Sequence, residues 1–216
     1  MSPALAAEPS KPFAGVRAPK RLLPEAAERK LTERQREILD ELEAAIVEDG
    51  FAGLTMAQLA ARMNCSLRTL YGLAPSKDAL QLMVMDRRLH RIGRAAMTAV
   101  APDLDALSAL RAYLQATNLA IGPTTETFAR SFDAVPGADR LMNQHGNYVI
   151  AVTRTLLDRA IEAGQIQPVD TGALALVLGG LGGFFARPQV IPLIAGSPQH
   201  TADAILEILI RGLEAR

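Results

Sequence analysis

Cysteine is nearly missing from this 216-residue chain: Cys65 stands alone. That excludes an intramolecular disulfide framework and a cysteine-based metal cluster, and it points to a reducing, cytoplasmic setting. Tryptophan is absent and aromatic residues make up 4%. Few segments show β-branched alternation, while Ala, Leu and helix-favouring charged residues dominate, so helix is the favoured local state. The three histidines, His90, His145 and His200, are far apart in sequence, with no H-E-x-x-H or similar spacing, so no metal site is expected. No nucleophile–base pair and no cofactor fingerprint stands out, so the chain is expected to have no catalytic residue and no cofactor. The longest charge-free apolar stretch, TGALALVLGGLGGFFA, carries five glycines and is too short to span a bilayer comfortably, so no membrane partner is expected. The opening MSPALAAEPSKPFAG lacks the basic region and apolar core of a secretory signal.

Net charge is missing too, since 23 Lys plus Arg balance 23 Asp plus Glu. The balance hides an asymmetry. Residues 1–94 carry 15 basic and 12 acidic side chains, residues 95–216 carry 8 and 11, and all four lysines lie in the first part. Any polyanionic partner is therefore expected at the N-terminal portion. Residues 1–30 hold five prolines and the basic Lys11, Arg17, Lys20 and Arg21. Their composition predicts a disordered arm, either a solvated tail or a basic arm touching nucleic acid.

What is abundant is helical punctuation. Thr32 with Gln35 fits a capping box, and Ile38, Leu42, Ala45 and Ile46 follow at helical spacing up to Gly50, a residue suited to the left-handed position after a helix. Thr55 with Gln58 forms a second box ahead of Leu59, Ala60 and Met63. Ser66 can cap LRTLYG, and Ser76 can cap a long helix whose Leu82, Met85, Leu89, Ile92 and Ala96 form one face, with Arg87, Arg88, Arg91 and Arg94 largely on others. Proline and glycine breaks then predict helices at roughly 103–121, 124–134, 138–163, 171–186 and 199–213.

In RMNCSLRTLYG, residues 62–72, a turn of about three to four residues interrupts two helical runs, which is the geometry of a helix-turn-helix. Such a turn needs a residue of positive φ, and Asn64 is among the non-glycine residues that tolerate it best. Cys65 is then a small apolar residue in the turn and Leu70 points inward. Arg68, Thr69, Tyr71 and Gly72 include outward positions. An Arg pairs with the guanine edge in the major groove, Thr and Tyr hydroxyls bind phosphate or base edges, and Gly72 lets backbone lie close to a duplex. The helix starts at Thr55 and at Ser76–Lys77 suit phosphates.

The span from Arg36 to Leu80 resembles the DNA-binding domain of the tetracycline-repressor (TetR) family of bacterial transcriptional regulators. The resemblance rests on Ile38-Leu39, Gly50-Phe51, Leu54-Thr55, Leu59-Ala60-Ala61-Arg62, Ser66, Thr69-Leu70-Tyr71 and Ser76-Lys77-Asp78-Ala79-Leu80, in order and spacing over some 45 residues. It implies an all-α homodimer with an N-terminal three-helix DNA-binding domain (31–78) and a helical effector-binding and dimerisation domain (79–216). By position it implies phosphate contacts from Thr55, Tyr71 and Lys77 and a recognition surface of Leu67, Arg68, Thr69 and Gly72, with the capping Ser66 among the expected DNA-binding residues. Family members often carry Gly, a polar residue and Phe where this chain has Asn64, Leu73 and Ala74. The missing aromatic leaves room for Leu73 or Phe51.

In the second half, Tyr113, Asn118, Phe128, Phe132, Gln144, His145 and Tyr148 are the aromatic or polar-tipped residues on the middle helices and are candidates to line a ligand cavity. The glycine-rich LGGLGGFF of 178–185 is no phosphate loop, because no Lys-Ser or Lys-Thr follows; its small residues permit close helix approach. Leu178, Leu181 and Phe185, with Ile205, Ile208 and Leu209 on the last helix, are expected in a two-fold four-helix dimer interface. The expected function is a ligand-responsive regulator, a repressor, binding a pseudo-palindromic DNA operator as a homodimer. The alternative is a helical small-molecule carrier or enzyme that uses the second half alone.

Overall fold

The computed structural model describes residues 13, 15–48, 51 and 53–214. Among them are ten α-helices and no strand beyond an isolated bridge between Ile166 and Glu214. In chain order they are α1 (Glu25–Arg29), α2 (Glu33–Glu48), α3 (Met56–Arg62), α4 (Leu67–Leu73), α5 (Lys77–Ala99), α6 (Ala106–Asn118), α7 (Glu126–Asp133), α8 (Ala138–Glu162), α9 (Thr171–Phe185) and α10 (Pro198–Leu213). The breaker residues predict these spans well. The largest departure is α6, expected from 103. Asp105 delays it by accepting the Leu107 and Ser108 amides at 3.1 and 3.0 Å, which makes 105 the cap. Gly50 lies outside the described residues.

Two cores organise the helices. The head core gathers Ile38, Leu42 and Ile46 of α2, Leu59 of α3, Leu70 of α4 and Leu80 and Val84 of α5, and it also takes Phe128 and Phe132 of α7 and Leu141 of α8. Phe51 is fully buried there, Leu73 packs at its edge and the small Ala74 belongs to the same core. The body core holds Leu110, Tyr113 and Leu114 of α6, Val152 and Leu156 of α8, Leu178 of α9, and Leu206 and Ile210 of α10. Helix α5 runs from one core to the other. Its arginines, expected on faces away from the core, do not simply face solvent. Arg87 donates to Glu28 and Asp40 at 2.9 and 2.6 Å, Arg88 donates to the buried Glu43 at 3.1 Å, and Arg91 pairs with Glu43 as well. The glycines of α9 serve close packing: a Cβ on Gly179 would lie 3.1 Å from the Ile150 Cα on α8.

The disordered arm expected over 1–30 needs correction for the part described. Phe13 is buried in the body core with the Arg159 guanidinium 5.0 Å above its ring, and Val16 packs against the same core. The chain then reaches α5, where the Leu22 amide donates to Asp86 at 2.8 Å. Arg21 pairs with Glu28 at 2.6 Å, and α1 follows at Pro24. A few anchors hold the segment, and prolines cost little there because extended backbone needs no ladder partner. Average composition does not register anchors spaced this far apart. Residues 1–12 and 14 lie outside the described residues.

If Phe13 anchors this segment, Phe13→Ala lowers unfolding free energy by roughly 3 kcal/mol, as for other buried Phe truncations. Urea melts of the two proteins measure this, and equal midpoints would return the segment to the status of a tail.

Candidate functional site

The turn between α3 and α4 is built from local chemistry. Asn64 adopts φ 46°, the only positive φ of a non-glycine residue among the described residues. The Cys65 amide donates to the Ala60 carbonyl at 2.9 Å and the Asn64 amide donates to Ala61 at 3.1 Å. This is the Schellman arrangement that satisfies the last carbonyls of a helix. Ser66 then caps α4 through the Thr69 amide at 3.0 Å. From the α2 side, the Arg34 guanidinium donates to the Met63 carbonyl at 2.7 Å. Burial pushes the Cys65 thiol above its ordinary value, outweighing the nearby Arg34 charge that acts the other way.

Helix α4 presents what the sequence predicts it presents. Leu70 is fully buried, while Ser66, Leu67, Arg68, Tyr71 and Gly72 are exposed and Thr69 is half-buried. Tyr71 is 52% exposed, unusual for an aromatic side chain on a seven-residue helix packed on a core. A Cβ at Gly72 would meet no atom within 4 Å, so packing inside the protein does not require glycine there. Thr55 caps α3 in a full capping box with Gln58, its amide donating to the Gln58 Oε1 at 2.8 Å. Ser76 caps α5 through Ala79. Lys77 lies beside that helix start, and its Nζ donates to the Phe51 carbonyl at 3.3 Å. The bond orients the ammonium and leaves two further donors.

The candidate cavity residues do not converge. Phe128 and Phe132 stack on each other, centroids 5.8 Å apart, inside the head core. Tyr113 is in the body core, where burial pushes its hydroxyl pKa well up, and Tyr148 packs at that core's edge. Asn118 donates to Asp203 at 2.7 Å. Gln144 is exposed and, with Tyr148 and Asn147, lines an open groove of about 400 Å³ against residues 15–17, 19 and 20. His145 points elsewhere, to Asp86 and His90. Sequence spacing missed this cluster because its third member comes from another helix. The legible signal was Asp86 and His90 at i and i+4 on one face of α5.

The expected dimer surface also divides. Leu178 is 3% exposed and belongs to the body core, so it faces inward rather than toward a partner. Leu181, Phe185, Ile205 and Leu209 are half-buried. The apolar side chains left open on α9 and α10 are Leu176 at 62%, Val177, Phe184 and Ile208 at 66%. No helix among the described residues is long and apolar enough to cross a membrane.

Neither a protein-family model nor a curated protein matches the chain. Solved structures do. A TetR-family transcriptional regulator from Thermus thermophilus aligns with 82% of this chain and 99% of its own at 21% identity and a TM-score of 0.59. A bacterial regulatory protein of the same family from Rhodococcus aligns over 86% of this chain and all of its own, with 18% identity and a TM-score of 0.63. A third, from Haloarcula marismortui, has 16% identity and a TM-score of 0.65 over 86% of this chain. The chain therefore has the fold of the TetR-family transcriptional regulators, an all-α helix-turn-helix head on a helical body.

Proposed function

We propose that the protein is a non-enzymatic, DNA-binding transcriptional regulator, a cytoplasmic repressor that binds a pseudo-palindromic operator as a homodimer and responds to a small-molecule effector. The observation that carries this reading is the surface of α4. A Schellman turn and a serine cap present Arg68, Thr69 and an exposed Tyr71, beside a glycine that no internal packing demands. In this reading Arg68 reads a base edge, while Tyr71, Thr55 and Lys77 hold phosphates on either side. The open apolar residues of α9 and α10 support the dimer, because large apolar side chains left exposed on the two helices expected at the interface are what a partner would cover. The sharing of the head core with Phe128, Phe132 and Leu141 supports effector control, since a change in α7 or α8 reaches the recognition helix by packing.

Selection of bound duplexes from a random pool at physiological salt tests the whole reading, and the expected result is enrichment of a two-fold symmetric site. On that site, Lys77→Ala lowers affinity for all sequences and reduces the salt slope by about 1, whereas Arg68→Ala relaxes preference at one base pair by about 1–3 kcal/mol. An unchanged slope would remove Lys77 from the phosphate contacts.

Gly72→Ala separates stability from binding. The substitution stabilises the free protein by about 0.5–1 kcal/mol, as expected for Gly to Ala in an unobstructed helix, and it weakens operator binding because the new methyl faces the duplex. Equal affinity for the two proteins would withdraw the close approach at this position.

Ile208→Asp is expected to give a monomeric mass by light scattering at micromolar concentration, where the parent protein is dimeric, and to lose operator affinity with it. A parent protein that is itself monomeric would overturn the dimer.

A further inference from the structure

Midway along α5 a buried polar cluster faces α8. Asp86 and His90 are one helical turn apart on α5, and His145 arrives from α8, so that one donor atom from each lies within 4.8 Å of the other two. Asp86 is almost fully buried and both imidazoles are nearly so. The His145 Nε2 is 3.0 Å from the Asp86 Oδ1, and the His90 Nε2 is 3.4 Å from the same oxygen. The two rings meet edge to face with centroids 4.9 Å apart.

An ordinary hydrogen-bonded pair accounts for His145 and Asp86. It does not account for His90. Its Nε2 is buried without a hydrogen bond, because the approach to Asp86 lacks the geometry of one. A buried ring nitrogen left this way is costly unless something else meets it. With bonds of about 2.0–2.1 Å, tetrahedral ligand atoms stand roughly 3.3 Å apart; the two nitrogens stand 3.0 and 3.4 Å from the carboxylate oxygen, and all three donors lie within 4.8 Å of one another. The second oxygen of Asp86 is held by the Leu22 amide at 2.8 Å. That bond turns Oδ1 toward the imidazoles, as outer partners do at metal sites. The cations nearest by sequence, Arg87, Arg88 and Arg91, are engaged by Glu28, Asp40 and Glu43.

We propose that Asp86, His90 and His145 form a binding site for one divalent transition-metal ion. Two imidazoles and one carboxylate favour zinc, cobalt or nickel over magnesium and calcium, which prefer all-oxygen shells. Three protein ligands leave a fourth position for water or for a donor atom of a small molecule. An ion there ties together α5, α8 and, through Leu22, the segment before α1. The site is independent of the DNA-binding reading, and so is its test.

The test uses the untagged full-length chain, stripped with a chelator and titrated with Co(II) while the visible ligand-field absorption is followed, then with Zn(II) in competition. The expected result is saturation at one equivalent per chain and displacement by Zn(II). His90→Asn and His145→Asn each weaken affinity by ~100-fold or more, a loss at least that of outer-sphere partners; Cys65→Ser and His200→Asn bind as the parent does. Circular dichroism establishes that each variant is folded. X-ray absorption at the zinc edge of the parent protein supplies a readout that needs no variant, and two imidazole ligands with no sulfur are expected. Absence of saturable binding, full affinity in both histidine variants, loss of binding in Cys65→Ser, or sulfur at the zinc edge would each overturn the proposal.

Discussion

The buried carboxylate of Glu43 is the constraint on which the placement of the head depends. It sits on α2, nearly inaccessible to water, and faces Arg87, Arg88 and Arg91 along one side of α5. Removing a partner from a buried charge strands the other and costs more than the pair contributes over an apolar substitute. The interaction therefore specifies an arrangement more than it stabilises the fold. Helix α2 is held at one register against α5, and α3 and α4 are held to α2 by the head core and by the Arg34–Met63 hydrogen bond. The direction in which Arg68 and Tyr71 point is thereby set by a charge network centred on Glu43, about two and a half helical turns along α2 from Arg34, which holds the turn between α3 and α4.

On its other side α5 carries a second buried carboxylate, Asp86. Burial alone would raise its pKa, but the approach of His145 and His90 and the Leu22 amide outweighs this and holds the carboxyl well below its ordinary range. It therefore stays an acceptor for the Leu22 amide and the His145 ring. Helix α5 thus works as a beam with one polar attachment on each flank. Arginines tie it to the head, and Asp86 ties it to α8 and to the chain that precedes α1.

How much of this was legible in the sequence follows the range of the interactions. The boxes at Thr32 and Thr55, the caps at Ser66 and Ser76, and the left-handed Asn64 involve residues three or four apart, so local chemistry suffices to place them. The outward face of α4 was legible for the same reason: given the turn, the 3.6-residue period decides which of its side chains face out. The burial of Phe13 against Arg159 was not, because the partner lies far along the chain and the intervening prolines suggested disorder. The histidine cluster was half visible, since the Asp86–His90 pair is local and His145 is not. The inward face of Leu178 was not legible because α9 is apolar nearly all round, and such a helix gives no stripe to orient it.

The division of apolar side chains between the two cores bears on how a signal would travel. Phe128, Phe132, Val135 and Leu141, from α7 to the first turn of α8, pack with α2–α5 rather than with the rest of the body. The rest of α8 then runs into the body core through Val152, Leu156 and Leu157. One continuous helix therefore has its first turn in one core and its later turns in the other. Close-packed interiors shift between discrete arrangements instead of deforming smoothly. A displacement of α8 driven by a ligand in the body must then either carry the Phe128–Leu141 block with it, repacking the head core under α4, or be resisted by that block. Both α8 and α5 reach the Asp86 cluster, so an ion held there would raise the cost of sliding one helix past the other. On these grounds the junction of α5 with α8, rather than the linkage between α4 and α5, is the element whose position a body ligand would have to bias.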